Sequence, residues 1–266
     1  MIDLKSNGIE VIAVQKENEV EVFCVELAGV PVEIRCRYQE NKTFLREYLT
    51  EKEPLFSVAP GEEDLLRTQE NFDRMDRAEG IPPHRRGNGF LENNAIHGLL
   101  AEKLTEYGVL LMHGSALCMD GEGYLFTARS GTGKSTHARL WREIFGERVW
   151  MINDDKPMLK ITNEGAIVYG TPWDGKHHLS RNASEPLKAI VKLERDTWNH
   201  IEPLSKADAF PVLMKQAFRS KKPATMTRIL ELEKMLLDRV AFYIMSCNME
   251  PEAACVAWSG MQRQKS

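Results

Sequence analysis

Nine consecutive residues, Ala128-Arg129-Ser130-Gly131-Thr132-Gly133-Lys134-Ser135-Thr136, put two glycines, four hydroxyls and a lysine between the apolar stretch Gly123-Tyr124-Leu125-Phe126-Thr127 and a stretch with helical periodicity. Strand, glycine-rich loop and helix in that order form a nest. Gly131 and Gly133 let the backbone curl with its N–H groups inward, and the following helix adds the positive end of its dipole. Such a nest binds phosphate oxygens through Ser130 to Thr136, with Lys134 reaching the β- and γ-phosphates and the Ser135 hydroxyl facing Mg²⁺. The pattern Gly-x-x-x-x-Gly-Lys-Ser/Thr asks for glycine where this chain has Ala128. A methyl group is tolerable there if φ is negative, and a negative φ is predicted.

Further candidates flank the loop. Strand-like Val149-Trp150-Met151-Ile152 runs into Asn153-Asp154-Asp155-Lys156-Pro157, with Asp154 20 residues after Lys134. That interval suits one helix and a return to the next strand, and strand ends are where α/β proteins keep chemistry. One carboxylate can serve Mg²⁺ while the other orients or deprotonates an acceptor hydroxyl. His113 precedes Lys134 by 21 residues, and a returning hairpin would aim it at the same cluster. A second surface is Gly170-Thr171-Pro172-Trp173-Asp174-Gly175-Lys176-His177-His178, a turn-rich loop in which Trp173, Asp174 and Lys176, with Arg181 beyond it, would suit acceptor or phosphate contacts. The opposing reading of that loop is an anchor made by a buried Trp173. His84-Arg85-Arg86 and Lys192 are read as surface charge.

Positioning these groups requires a mixed arrangement. Strand-like runs and turns alternate from residue 8 to 38, with a hairpin predicted from Glu19–Leu27 and Val30–Tyr38 across Ala28-Gly29. Residues 39–89 are charged and irregular apart from a helix at 61–79. A helix over 88–107 stops at Gly108, and short strands follow at 109–112, 116–119 and 123–128, with Asp120-Gly121 as a hairpin turn. Beyond the loop the pattern predicts a helix at 136–145, a strand at 148–152, a hairpin at 158–161 and 166–169, and a strand at 187–193. From 206 to 264 it is mainly helical with a strand at 241–246, and Pro251 opens the last helix. This gives an N-terminal α+β subregion, 1–86, and a phosphate-loop core, 87–266.

A chain of 266 residues can bury such a core without staples. Its five cysteines are scattered and form no CxxC pair, so neither a disulfide framework nor a zinc site is predicted, and Cys247 and Cys255 are read as packing residues. A cytoplasmic location is expected, since the start lacks a signal-peptide pattern and no run of about eighteen apolar residues occurs. The sequons at Asn41 and Asn182 then carry no weight. A net charge of −4 gives no global attraction for nucleic acid or an anionic membrane. Homo-oligomers are compatible with the sequence.

His113-Gly114, Ser130-Gly131-Thr132-Gly133-Lys134-Ser135 and Asp154-Asp155, in that order, resemble the catalytic core of HPr kinase/phosphorylase and its relatives in the phosphoenolpyruvate carboxykinase superfamily. The resemblance covers roughly residues 110–159 and extends loosely to 190. It implies an α/β fold with a mixed-sheet P-loop kinase core, and ATP and Mg²⁺ as cofactors. The acceptor would be a hydroxyl, either a protein or peptide serine or a small molecule. Lys134 would polarise the transferring phosphate, Ser135 and Asp155 would serve Mg²⁺, Asp154 would be the base, and His113 would support them. Adjacent carboxylates on one metal couple and can exchange roles. The rival readings are a carboxykinase, for which further arginines and metal ligands are not assignable, and a nucleotide-sensing module without turnover, against which the retained Asp pair argues. A transporter-type ATPase would share the loop, but the Leu-Ser-Gly-Gly-Gln signature and a carboxylate pair at that family's longer spacing are both missing.

Overall fold

The computed structural model describes residues 20–262; the expectations for residues 8–19 and 263–264 lie outside the described residues. The chain begins with the predicted hairpin, β1 (Glu21–Leu27) and β2 (Val30–Cys36), to which β3 (Phe56–Val58) adds in parallel. Ala28 and Gly29 both have positive φ, 51° and 70°, the two-residue turn whose twist matches that of the flanking strands. Between and after these strands come α1 (Gln39–Phe44), α2 (Glu62–Ala78) and α3 (Asn88–Lys103). Alternate residues Val25, Leu27, Val32 and Ile34 pack on Ile96, Leu100 and Leu104. The same apolar cluster takes in Val109, Leu111, Met158 and Trp173, so packing runs continuously across residue 87.

The larger sheet contains β4 (Val109–Leu111), β5 (Ser115–Met119), β6 (Glu122–Thr127), β7 (Val149–Asn153), β8 (Met158–Ile161), β9 (Ala166–Tyr169), β10 (Ser184–Arg195), β11 (His200–Pro203) and β12 (Ala241–Cys247). Its order is β4-β8-β9-β10-β6-β5-β7, with β12 also on β10 and β11 outside β12. The spine is β10, which pairs antiparallel with β9 through Ser184–Pro186, then parallel with β6 and with β12. Period-2 alternation sorts the two faces. Leu125, Ile190 and Phe242 meet α5 (Lys206–Gln216) and α6 (Pro223–Arg239), whereas Tyr124, Phe126, Val191 and Met245 meet α4 (Lys134–Phe145) and α7 (Glu252–Gln262). The result is a mixed α/β architecture with helices on both faces of a mixed sheet.

Local chemistry explains the element ends. Asp120 and Gly121, φ 52° and 79°, make the β5–β6 turn, and Gly108, φ 76°, stops the turn that extends α3. Pro223 starts α6, and the Ser205 hydroxyl caps α5 by accepting the Asp208 N–H. Two short elements, α1 and β3, fall where the sequence reads as irregular, β11 lies where no element is predicted, and α4 begins at Lys134, earlier than predicted. Arg86 is not simple surface charge: it donates to both oxygens of Asp76 and lies over the Phe72 ring. Cys247 is buried as expected, but Cys255 is exposed, because it lies on the outer side of α7 from Ala254 and Ala257. Among the described residues no helix is long and apolar enough to cross a membrane.

Beneath the loop, α4 holds a buried pair in which the Trp141 indole donates to His137 Nε2 at 3.0 Å, with the His137 ring edge-on to Phe126. Burial depresses the His137 pKa from 6.5 to about 4. The unfolded chain therefore takes up this proton first as pH falls. The contribution is intact above pH 6.5 and is lost as pH drops towards 4. Between pH 7 and 5, wild type should lose about 1–2 kcal/mol more stability than His137→Gln, which retains an acceptor for Trp141. Urea unfolding at the two pH values checks this, and equal losses would contradict it.

Candidate active site

The loop between β6 and α4 is built as its residue types require. Gly131 and Gly133 have φ of 75° and 123°, while Ala128 is not among the residues with positive φ and its methyl is buried in the α4-side core. The predicted tolerance of alanine at this position thus has a packing counterpart. Lys134 reaches back along the loop, its ammonium 3.5 Å from the Ala128 carbonyl. Arg195, at the end of β10, donates to the carbonyls of Gly131 and Thr132. Register explains its reach, since Lys192 on β10 pairs with Thr127 on β6 and carries the strand past the loop. Among the described residues the Ser135 hydroxyl makes no hydrogen bond, and Ser135 is exposed at the start of α4.

His113 lies between β4 and β5. Its backbone is fixed by Thr127 Oγ1 donating to its carbonyl and by its own N–H donating to Gln216 O. Its ring has Nε2 at 3.4 Å from Asp155 Oδ1 and Nδ1 at 3.2 Å from the Gln216 side chain. Burial, followed by the charges of Lys156 and Lys134, lowers its pKa to about 4, against the opposing pull of Asp155 and Gln216. The ring is neutral near pH 7 and carries one proton. The atom facing Nδ1 is Gln216 Oε1, so the single proton of the neutral ring serves either that contact or the one to Asp155.

Asp154 and Asp155 follow β7 in a turn organised by Asn153. The Asn153 side-chain Oδ1 accepts the N–H groups of Asp155 and Lys156, and its side-chain NH₂ donates to Thr171. The two carboxylates have different surroundings. Asp154 is buried, accepts the Ser115 hydroxyl at 2.6 Å, and has Gly175 so close that an added Cβ would stand 3.0 Å from Oδ2. Asp155 is part-exposed to a cleft, with the Lys156 ammonium 3.3 Å from Oδ1. Lys134 is held below its usual pKa by burial and by the charge of Lys156, opposed by Asp155 and Asp154. His113, Lys134 and the Asp pair are therefore brought into one electrostatic cluster.

The second predicted surface is placed differently. Trp173 is buried, donates to Asn93 Oδ1 at 2.8 Å and stacks on His97, so it anchors the loop to α3 rather than facing solvent. Asp174 faces His178 at 3.0 Å, Lys176 is exposed, and the Arg181 guanidinium lies over the Trp150 ring. Of these four, Trp173 and Asp174 line the cleft that reaches Asp155, whereas Lys176 and Arg181 do not.

Three open clefts, sharing lining residues in turn, run from the loop to the Asp pair. One, of about 670 Å³, runs beside the phosphate loop between the end of β10 and α5, and reaches Lys215 and Gln216. The second, about 330 Å³, continues from Lys215 and Gln216 past His113 to Lys156 and His97. The third, about 410 Å³, passes from Lys156 and Asp155 beneath Trp173 and Asp174. Arg195, Gln216, Ser115, Asn153 and Lys156 are the participants that sequence reasoning did not assign; the first three lie far from the loop and the Asp pair in sequence, whereas Asn153 and Lys156 flank the pair and adjacency could have flagged them.

No family model matches this sequence, and no curated protein does. Among solved structures, the chain is similar to the Hpr(Ser) kinase/phosphatase from Coxiella burnetii, at 12% identity and a TM-score of 0.36, over 59% of this chain and 99% of that one. That likeness is too distant to bear on activity.

Proposed function

We propose that this chain is a MgATP-dependent phosphotransferase with an HPr kinase-like core, which passes the γ-phosphoryl group to a hydroxyl. The observation that carries this reading is the contact of His113 with Asp155, 3.4 Å apart, within the electrostatic reach of Lys134 in a glycine-rich loop, although the three come from separate segments. A loop alone would serve binding, whereas a carboxylate facing an adjoining cleft supplies what transfer needs.

In this reading the triphosphate lies on the N–H groups of residues 130–136, and the nucleoside occupies the cleft between β10 and α5. Lys134 neutralises charge as the bond between the γ-phosphorus and the bridging oxygen breaks. Asp155, the member of the pair that lines the cleft, orients the acceptor hydroxyl and takes its proton. His113 holds that carboxylate in place. This assignment exchanges the roles that the sequence resemblance implies, because Asp154 is buried against Ser115 and Gly175. Among the described residues no group of three or more His, Cys, Asp or Glu could hold a metal. That fits Mg²⁺, which keeps waters and takes one or two protein ligands alongside phosphates. Ser135 and Asp154 would hold it, and it would supply charge neutralisation.

The test is release or transfer of label from γ-labelled ATP. Asp155→Asn should bind MgATP normally and lose about 10²–10⁴-fold in turnover, whereas Asp154→Asn should chiefly raise the Mg²⁺ concentration needed. Full turnover by Asp155→Asn would sink the assignment.

A further inference from the structure

We infer that Lys156 is the acceptor-side cation of this site, which contacts the phosphoryl group as it passes from the loop to the acceptor oxygen; this rests on the phosphotransferase reading above. Lys156 is held at a fixed point. Its N–H donates to Asn153 Oδ1 at 2.7 Å, and its carbonyl accepts from Thr171 Oγ1 at 2.8 Å. From there its ammonium reaches Asp155 Oδ1, the same oxygen that His113 Nε2 approaches. Its side chain is half-buried and lines both the cleft passing His113 and the cleft beneath Trp173, and is thus where the two meet.

Charge balance gives it a task. With Asp154 given to Mg²⁺, the Asp155 carboxylate remains beside the incoming phosphate and repels it, and Lys134 offsets this only from the loop side. In the transfer, the bond from γ-phosphorus to the bridging oxygen breaks with its electrons going to the nucleoside diphosphate. The acceptor oxygen forms the new bond, and its proton passes to Asp155. Negative charge is then spread over the equatorial oxygens on a path between the loop and Asp155. A second ammonium beside Asp155 meets that charge. A lysine serving only to tie down a surface turn would have no reason to project between two clefts.

The test needs no knowledge of the acceptor. Affinity for MgADP is measured on the full chain with and without aluminium fluoride, which mimics the phosphoryl group in flight. Wild type should bind at least about tenfold more tightly when aluminium fluoride is added. Lys156→Met and Lys156→Gln should bind MgADP within about threefold of wild type and lose that tightening, while Lys156→Arg should recover most of it. Thermal unfolding midpoints near wild type separate this from a folding defect, and the glutamine variant keeps the backbone hydrogen bonds. If Lys156→Met tightens as wild type does, the inference is overturned while the phosphate-loop reading stands. If wild type itself fails to bind MgADP, both fall.

Discussion

Lys134→Ala is expected to lower phosphoryl transfer from MgATP by about 10³-fold while leaving the fold intact. The ammonium is part-buried and pushed below its usual pKa by burial and by Lys156, so it is a charge retained at some cost to the folded state. Its hydrogen bond to the protein is a 3.5 Å approach to the Ala128 carbonyl, and the opposite charges that act on it are those of the Asp pair. Removing it should therefore leave the melting temperature unchanged or slightly raised. Steady-state turnover with circular dichroism melting checks both halves. A variant that transfers phosphate at the wild-type rate would remove Lys134 from the chemistry.

Gly170→Ala should be the most damaging small substitution near the site. Its φ is not in the left-handed region; the constraint is the approach of two other stretches of backbone. A Cβ at Gly170 would lie 1.9 Å from the Arg181 carbonyl oxygen and 2.6 Å from that of Ile152. Those oxygens cannot swing aside as a side chain would, because the Ile152 carbonyl accepts the Arg181 N–H and the Gly170 N–H is bound to Ala183 O. The loop must lift from the end of β7, directly before Asn153 and the Asp pair. A loss of about 3 kcal/mol is expected, or about 6–12 °C in melting temperature, together with activity. Gly87→Ala is the control, since a Cβ there meets nothing within 4 Å. Equal melting temperatures for the two variants would refute the argument.

Much of the scaffold was legible because its signals are local. Ala28-Gly29 and Asp120-Gly121 announce their hairpins, alternation marks the sheet, and the glycine-rich loop locates the strand–loop–helix junction. The Asp pair and His113 were also identifiable, since each ends a strand that leads back to the loop. What stayed hidden depends on distant partners. Trp173 is buried because Asn93 and His97 on α3 receive it, some 80 residues away in sequence. Arg195 becomes a clamp on the loop only through the parallel register of β10 with β6. The short elements β3 and β11 each exist by pairing with one neighbouring strand, a non-local gain that four or fewer residues cannot advertise. The unequal burial of Asp154 and Asp155 likewise comes from Ser115 and Gly175, neither adjacent in sequence.

The central claim is that residues 128–136 hold the phosphates of a nucleotide, and amide hydrogen exchange with and without MgATP tests it most directly. Nucleotide should slow exchange in the segment from Ser130 to Thr136, whose N–H groups would be donating to phosphate, and Lys134→Ala should weaken that protection. Binding of MgATP that leaves exchange in this segment unchanged would contradict the account.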